Sequence, residues 1–208
     1  VNVYTAEILP NLGIGIKGKW IAYVGQNAGD TIGPQTKVID AEGQTVIPGL
    51  IDGHTHIAWL FTPAEFLKYA ICGGTTTVVT ETLEPYFVCG YDGVIDFLES
   101  LRDQPIKFLA TAPAMVSTSQ AAMGIDLADL ETLMAREEIV GLGESYWQAV
   151  LQNQDVYLPI FANALAHRKM LEGHSAGARG AKLQAYAACG ISSCHEPIKA
   201  EEVLERLR

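Results

Sequence analysis

The rhythm of hydrophobic and polar positions changes near residue 48. Before it, short apolar stretches are punctuated by turn residues. Residues 12–16 alternate, Gly18-Lys19 marks a turn, and 20–24 is apolar again. Residues 36–40 and 45–47 continue the pattern on either side of Glu42-Gly43. This predicts a small antiparallel β domain over 1–47. From 48 to 208 the rhythm becomes strand, loop, helix, repeated. Strands are expected at 48–57, 75–80, 106–112, 139–143, 169–172 and 190–193, and helices at 63–72, 93–102, 127–136, 157–167, 182–189 and 200–208. Thr62 before Pro63 reads as an N-cap followed by proline at the first helical position.

Alternating β and α units imply a parallel sheet. A doubly wound nucleotide-binding sheet is the simpler alternative. No Gly-x-Gly-x-x-Gly follows the first of these strands, and no helix opens after Gly13-Ile14-Gly15. A (β/α)8 barrel of the TIM type fits better, because candidate ligands recur at the C-terminal ends of several strands, where barrel active sites lie. Six βα units are expected against the eight of a closed barrel. The expected architecture is therefore an incomplete barrel over 48–208 behind the β domain, as in a fragment or a fold completed from elsewhere.

Composition narrows the function. Of 208 residues 49% are hydrophobic, enough for a large core. Apolar stretches are broken well short of the roughly 20 residues of a membrane helix. No cationic segment followed by an apolar core opens the sequence, so no secretory signal and no membrane partner are expected. The net charge of −10 comes with scattered basic residues, which excludes a stripe for a phosphate backbone and argues against nucleic acid. Cys72, Cys89, Cys189 and Cys194 form no Cys-x-x-Cys pair, which fits free thiols in the cytoplasm.

The chemistry collects at four strand ends. The run Val46-Ile47-Pro48-Gly49-Leu50-Ile51-Asp52-Gly53-His54-Thr55-His56 carries two histidines two apart, which share one face of a strand. Glu144 ends Gly141-Leu142-Gly143-Glu144, His174 ends Leu171-Glu172-Gly173-His174, and His195 follows Ser192-Ser193-Cys194. Neutral imidazoles converging on a carboxylate suit divalent transition metals, and a carboxylate between two histidine groups can bridge two ions. Such a pair activates water for attack on an electrophilic carbon, as in hydrolysis of an amide or an amidine-like ring carbon. His167, beside Arg168 and Lys169 at a helix C-terminus, reads as structural. Glu196 can contact substrate or cap the following helix, and Cys194 reads as a small buried thiol.

Pro48-Gly49-Leu50-Ile51-Asp52-Gly53-His54-Thr55-His56 resembles the first barrel strand of the metal-dependent amidohydrolase superfamily. Within it, the chain is similar to the N-terminal portion of bacterial and archaeal adenine deaminases. The segments that carry this are 2–10, Gly74-Thr75-Thr76-Thr77-Val78-Val79, Gly141-Leu142-Gly143-Glu144, Glu172-Gly173-His174-Ser175-Ala176-Gly177 and 188–196. The resemblance implies deamination of adenine to hypoxanthine and ammonia in purine metabolism, by metal-activated hydroxide. Two divalent ions (manganese, iron or zinc) would be held by His54, His56, Glu144, His174 and His195. It makes Glu84 and Glu196 the catalytic candidates and sets Trp59 and Ser145 against a purine-like small molecule.

The pocket departs from the family. Ile57-Ala58-Trp59-Leu60 replaces an acidic residue and serines, Leu83 stands where the family has histidine, and Cys194 stands where it has aspartate. Ser145-Tyr146-Trp147-Gln148 replaces a Met-rich stretch. An unchanged ligand set within an altered pocket is the pattern of a changed substrate, so a related amino-heterocycle is also expected. The superfamily's eighth strand supplies a metal-binding, proton-shuttling aspartate, and none follows His195 here. A chain ending at Arg208 is then expected to show little catalysis. The alternatives are a cyclic amidase or N-acyl hydrolase of the same superfamily, and a non-catalytic metal-binding fragment. A homo-oligomer, joined through the exposed edges of an incomplete barrel, is compatible with each.

Overall fold

The computed structural model of the chain describes residues 1–116 and 123–207. Arg208, the expected end of the last helix, lies outside the described residues. The chain divides into two compact units, Val1–Gly49 and the residues from Leu50 onward.

In the first unit, β1 (Gly13–Lys17) and β2 (Trp20–Gly25) pair antiparallel, and Gly18 turns between them at a φ of 59°. A 3-10 turn covers Ala28–Thr31. The strands expected at 36–40 and 45–47 do not form. Strand propensity needs a partner ladder and a face to bury, and Val38, Ile39, Val46 and Ile47 all stay exposed. Asp40 instead accepts a hydrogen bond from the Glu42 backbone, closing a turn in which Glu42 takes a φ of 50°.

The second unit is built on six parallel strands in the order β3 (Leu50–Thr55), β4 (Thr75–Thr80), β5 (Lys107–Ala112), β6 (Ile139–Tyr146), β7 (Met170–His174) and β8 (Ser193–Cys194). The helices are α1 (Ile57–Leu60), α2 (Pro63–Cys72), α3 (Leu83–Ser100), α4 (Leu127–Met134), α5 (Trp147–Gln152), α6 (Gln154–Ala166), α7 (Ala181–Ala187) and α8 (Ala200–Arg206). Each strand sits beside the next in sequence, so the sheet grows in one direction as a barrel wall does. It curls into a half-barrel. Thr62 caps α2 by accepting from the Glu65 amide, with Pro63 in the first turn. Asp126 caps α4 in the same way.

The core lies between sheet and helices. Ala110, Ala112, Ile139, Leu142 and Leu171 of the strands pack with Val94 and Leu98 of α3, Leu130 and Leu133 of α4, and Tyr157, Ile160 and Phe161 of α6. Strand β8 shrinks to Ser193–Cys194 from the expected 190–193, α5 forms where no helix is expected, and three further differences bear on the site. Helix α3 starts at Leu83, ten residues before the expected 93, with a kink at Gly90. Pro85 and two glycines read as breakers, yet proline in a first turn forfeits no helical hydrogen bond. The first barrel strand ends at Thr55, and Ile57 turns into α1 as a buried residue. Strand β6 runs on to Tyr146, placing Glu144 within the ladder instead of beyond it.

Ladder register breaks between Asp52 and Thr55 of β3 and between Leu142 and Ser145 of β6. The breaks span His54 and Glu144. Irregularities of this kind re-aim single side chains and gather near functional sites.

Candidate metal centre

Neighbouring strands lie about 4.8 Å apart, so a flat six-stranded sheet would separate β3 from β8 by about 24 Å. Instead the rings of His54, on β3, and His195, just past β8, stack at 3.5 Å between centroids, 16° from parallel. The curl of the sheet therefore closes its two ends around one point.

Glu144 occupies that point, 5% exposed. Its Oε2 meets His174 Nδ1 at 2.9 Å, His195 Nε2 at 3.2 Å and His54 Nε2 at 3.9 Å, while Oε1 faces His56 Nε2 at 3.8 Å. All four strand-end histidines thus turn a nitrogen toward one carboxylate, with His56 on one oxygen and three rings on the other. His54 Nε2 and His56 Nε2 face each other at 3.2 Å. Two nitrogens each about 2.05 Å from a tetrahedral ion would stand about 3.3 Å apart. The donor set fits a divalent cation on that measure. His54, Glu144 and His195 form one group able to hold an ion, and His174, His195 and Glu196 form another.

Behind the histidines stands an acidic ring. Glu84 Oε1 lies 2.6 Å from His56 Nδ1. Glu172 Oε1 lies 3.1 Å from His54 Nδ1 and 3.2 Å from His195 Nδ1. Glu81 Oε1 lies 3.7 Å from His54 Nδ1, and Glu81 Oε2 finds no hydrogen-bond partner among the described residues. Glu196, at the rim, reaches His195 Nε2 at 3.2 Å.

Electrostatics follow from this packing. Burial pushes Glu81 up to about 8, and the neighbouring Glu144 charge adds to the rise. Burial also opposes the charge on Glu144, but hydrogen bonds from His174 and His195 outweigh it and hold that carboxyl far below its usual range. Glu172, likewise opposed by burial, is held at about 2 by His195 and His54. Burial pulls His195 down, yet Glu144 and Glu172 carry it to about 10. His56 is raised against its own burial by Glu84. Close-set acids and bases of opposite shift are characteristic of functional sites.

His54, His56, Glu144, His174 and His195 converge, and Glu84 and Glu196 border them. Trp59 is exposed, its ring 5.3 Å from that of His56. Ser145 is fully buried, its hydroxyl 3.2 Å from that of Tyr186. Leu83 is buried in the core. Glu81 and Glu172 are not among the candidates, although Glu172 is two residues before His174 and shares its strand face.

Among solved structures, N-isopropylammelide isopropylaminohydrolase from Burkholderia multivorans superposes with a TM-score of 0.51 over 86% of this chain and 52% of that one. At 18% identity this is a likeness of fold alone. The class so defined is the parallel (β/α) barrel with functional groups at its strand ends. A profile described as the amidohydrolase family matches residues 45–196. The adenine deaminase of Staphylothermus marinus is 38% identical over 215 residues, covering 98% of this chain and 36% of that protein. Those of Moorella thermoacetica and Cenarchaeum symbiosum are 37% and 31% identical, covering all of this chain and 36% and 35% of theirs. The chain belongs to the amidohydrolase family and spans about a third of the length of the curated relatives it matches.

Proposed function

We propose that this chain carries the metal-binding part of a hydrolase acting on C–N bonds other than peptide bonds. The reaction is hydrolytic deamination of adenine or a related amino-heterocycle, which for adenine consumes water and yields hypoxanthine and ammonia. The observation that carries this reading is the Glu144 carboxylate faced by nitrogens of His54, His56, His174 and His195. Two divalent ions (manganese, iron or zinc) bound there would supply the Lewis acidity that brings water to nucleophilic strength near neutral pH. Glu144, His54, His56, His174 and His195 would hold the ions. Glu84 holds the outer nitrogen of His56 and so acts through that ring. Glu196, partly exposed and 3.2 Å from His195 Nε2, would carry a proton between water and the departing amine. Trp59 offers a flat face on which a planar heterocycle can stack.

Metal analysis of the purified protein tests this beside Glu144→Ala and His54→Ala. About two divalent ions per chain are expected, lost in both variants, with ammonia released from adenine by the protein as its gene encodes it. Absence of metal from a well-folded protein would sink the reading. Ring opening of a cyclic amide without ammonia would move the substrate class.

A further inference from the structure

Resting on that metal-centre reading, we propose that Glu172 is a positioning residue that fixes two ligands at once, holding His54 and His195 as Nδ1–H tautomers so that both present Nε2 to the metal side. A single oxygen, Glu172 Oε1, lies within hydrogen-bond distance of Nδ1 on both rings. The rings are stacked nearly parallel, so their Nδ1 edges line up on Glu172 and their Nε2 edges on Glu144. An ionised carboxylate only accepts, so each Nδ1 must donate, and when the ring gives up a proton it is Nε2 that yields it and offers its lone pair to an ion. A carboxylate behind a ligating imidazole orients the ring and raises its basicity. Here one carboxylate serves histidines from the two ends of the sheet, one on β3 and one just past β8. His174 is the exception: its Nδ1 points at Glu144. The fourth ring, His56, has its own partner in Glu84.

The test uses zinc alone as the probe, with two readouts on wild type, Glu172→Ala, Glu172→Met and Glu172→Gln. Wild type is expected to show hydrogen-bonded Nδ1–H proton resonances for His54 and His195, assigned through long-range proton–nitrogen correlation, with and without zinc. Both resonances should vanish in Glu172→Ala, with zinc affinity falling about 10–100-fold. Glu172→Met keeps the side chain's length without its oxygens and carries the same expectation should the alanine variant fail to fold. Glu172→Gln retains an acceptor oxygen and should recover both resonances and most of the affinity. Unchanged zinc affinity and resonances in the alanine or methionine variant would overturn the role of Glu172 while leaving the metal centre standing. Both resonances in a wild-type chain that takes up no zinc would instead overturn the metal centre, and with it any role of Glu172 toward an ion.

Discussion

Glu81 shows how much one buried side chain can govern. Its ordinary value is 4.5, and burial with the Glu144 charge lifts it to about 8 in the fold. The folded state then holds a proton that the unfolded chain releases, so this group's contribution declines as pH rises from about 4.5 to about 8. Glutamine mimics the protonated acid. In metal-free protein, the melting temperature of Glu81→Gln relative to wild type should therefore climb between pH 5 and pH 8. The other titrating groups are common to both chains and cancel to first order. A difference on the order of a few kcal/mol at pH 8 is expected by linkage, and thermal melts across that range would measure it. A flat difference would mean that Glu81 is ionised in the fold. A divalent cation nearby should lower its pKa and erase the trend.

Strands place these groups, and glycines make room for them. A Cβ at position 143 would stand 2.2 Å from Glu81 Oε2 and 3.0 Å from the Ala112 carbonyl. Neither neighbour is free to withdraw, because Glu81 is buried and Ala112 belongs to β5. Gly143→Ala should cost about 1–3 kcal/mol in urea unfolding, in the range of overpacking. Adding Glu81→Ala should return part of that loss. At 173 the crowding comes from Ile191, the Tyr186 hydroxyl and the Ser193 carbonyl. Gly143 and Gly173 thus lie within β6 and β7 where a side chain would collide with close neighbours, Gly143 alone of the two against the acidic cluster. Periodicity in the sequence marks the β3 to β7 region and the helices α2, α4 and α6; α4 buries Leu130, Leu133 and Met134, and α6 buries Tyr157, Ile160, Phe161 and Ala164. It misses the start of α3, where Pro85 and Gly90 disguise a helix. It also invents strands at 36–40 and 45–47, where no neighbour completes a ladder.

On the proposed reading, the closed ends of the sheet would make metal binding a property of the whole second unit. The proposed ligands on β3, β6 and β7 and just past β3 and β8 would all have to be in place, and that arrangement exists only in the folded state. Saturating manganese or zinc should raise the melting temperature, and a chelator should reverse it. At a free metal concentration of 100 times Kd the gain is about 2.7 kcal/mol. His195 stands at about 10 without metal and must lose a proton to ligate, and the upward shift of His56 acts in the same direction. Uptake should therefore release protons and weaken as pH falls, which calorimetry in buffers of different ionisation enthalpy would reveal. Metal uptake without proton release would mean that these histidines are not the ligands. Among the described residues no helix is long and apolar enough to cross a membrane.

The sequence alone determined the alternation of strand and helix, the parallel sheet it implies, and the five residues that converge, since each lies at a strand end with a recognisable local pattern. It could not determine which nitrogen of each histidine faces inward, because that depends on the group behind the ring. Nor could it single out Glu81 and Glu172, whose importance comes from neighbours distant in the chain: Glu81 beneath Gly143, and Glu172 between His54 and His195. Only the curl of the sheet decided those contacts. Local patterns set the direction of a side chain within its own element, whereas the distance between the tips of β3 and β8 is set by every strand and helix between them.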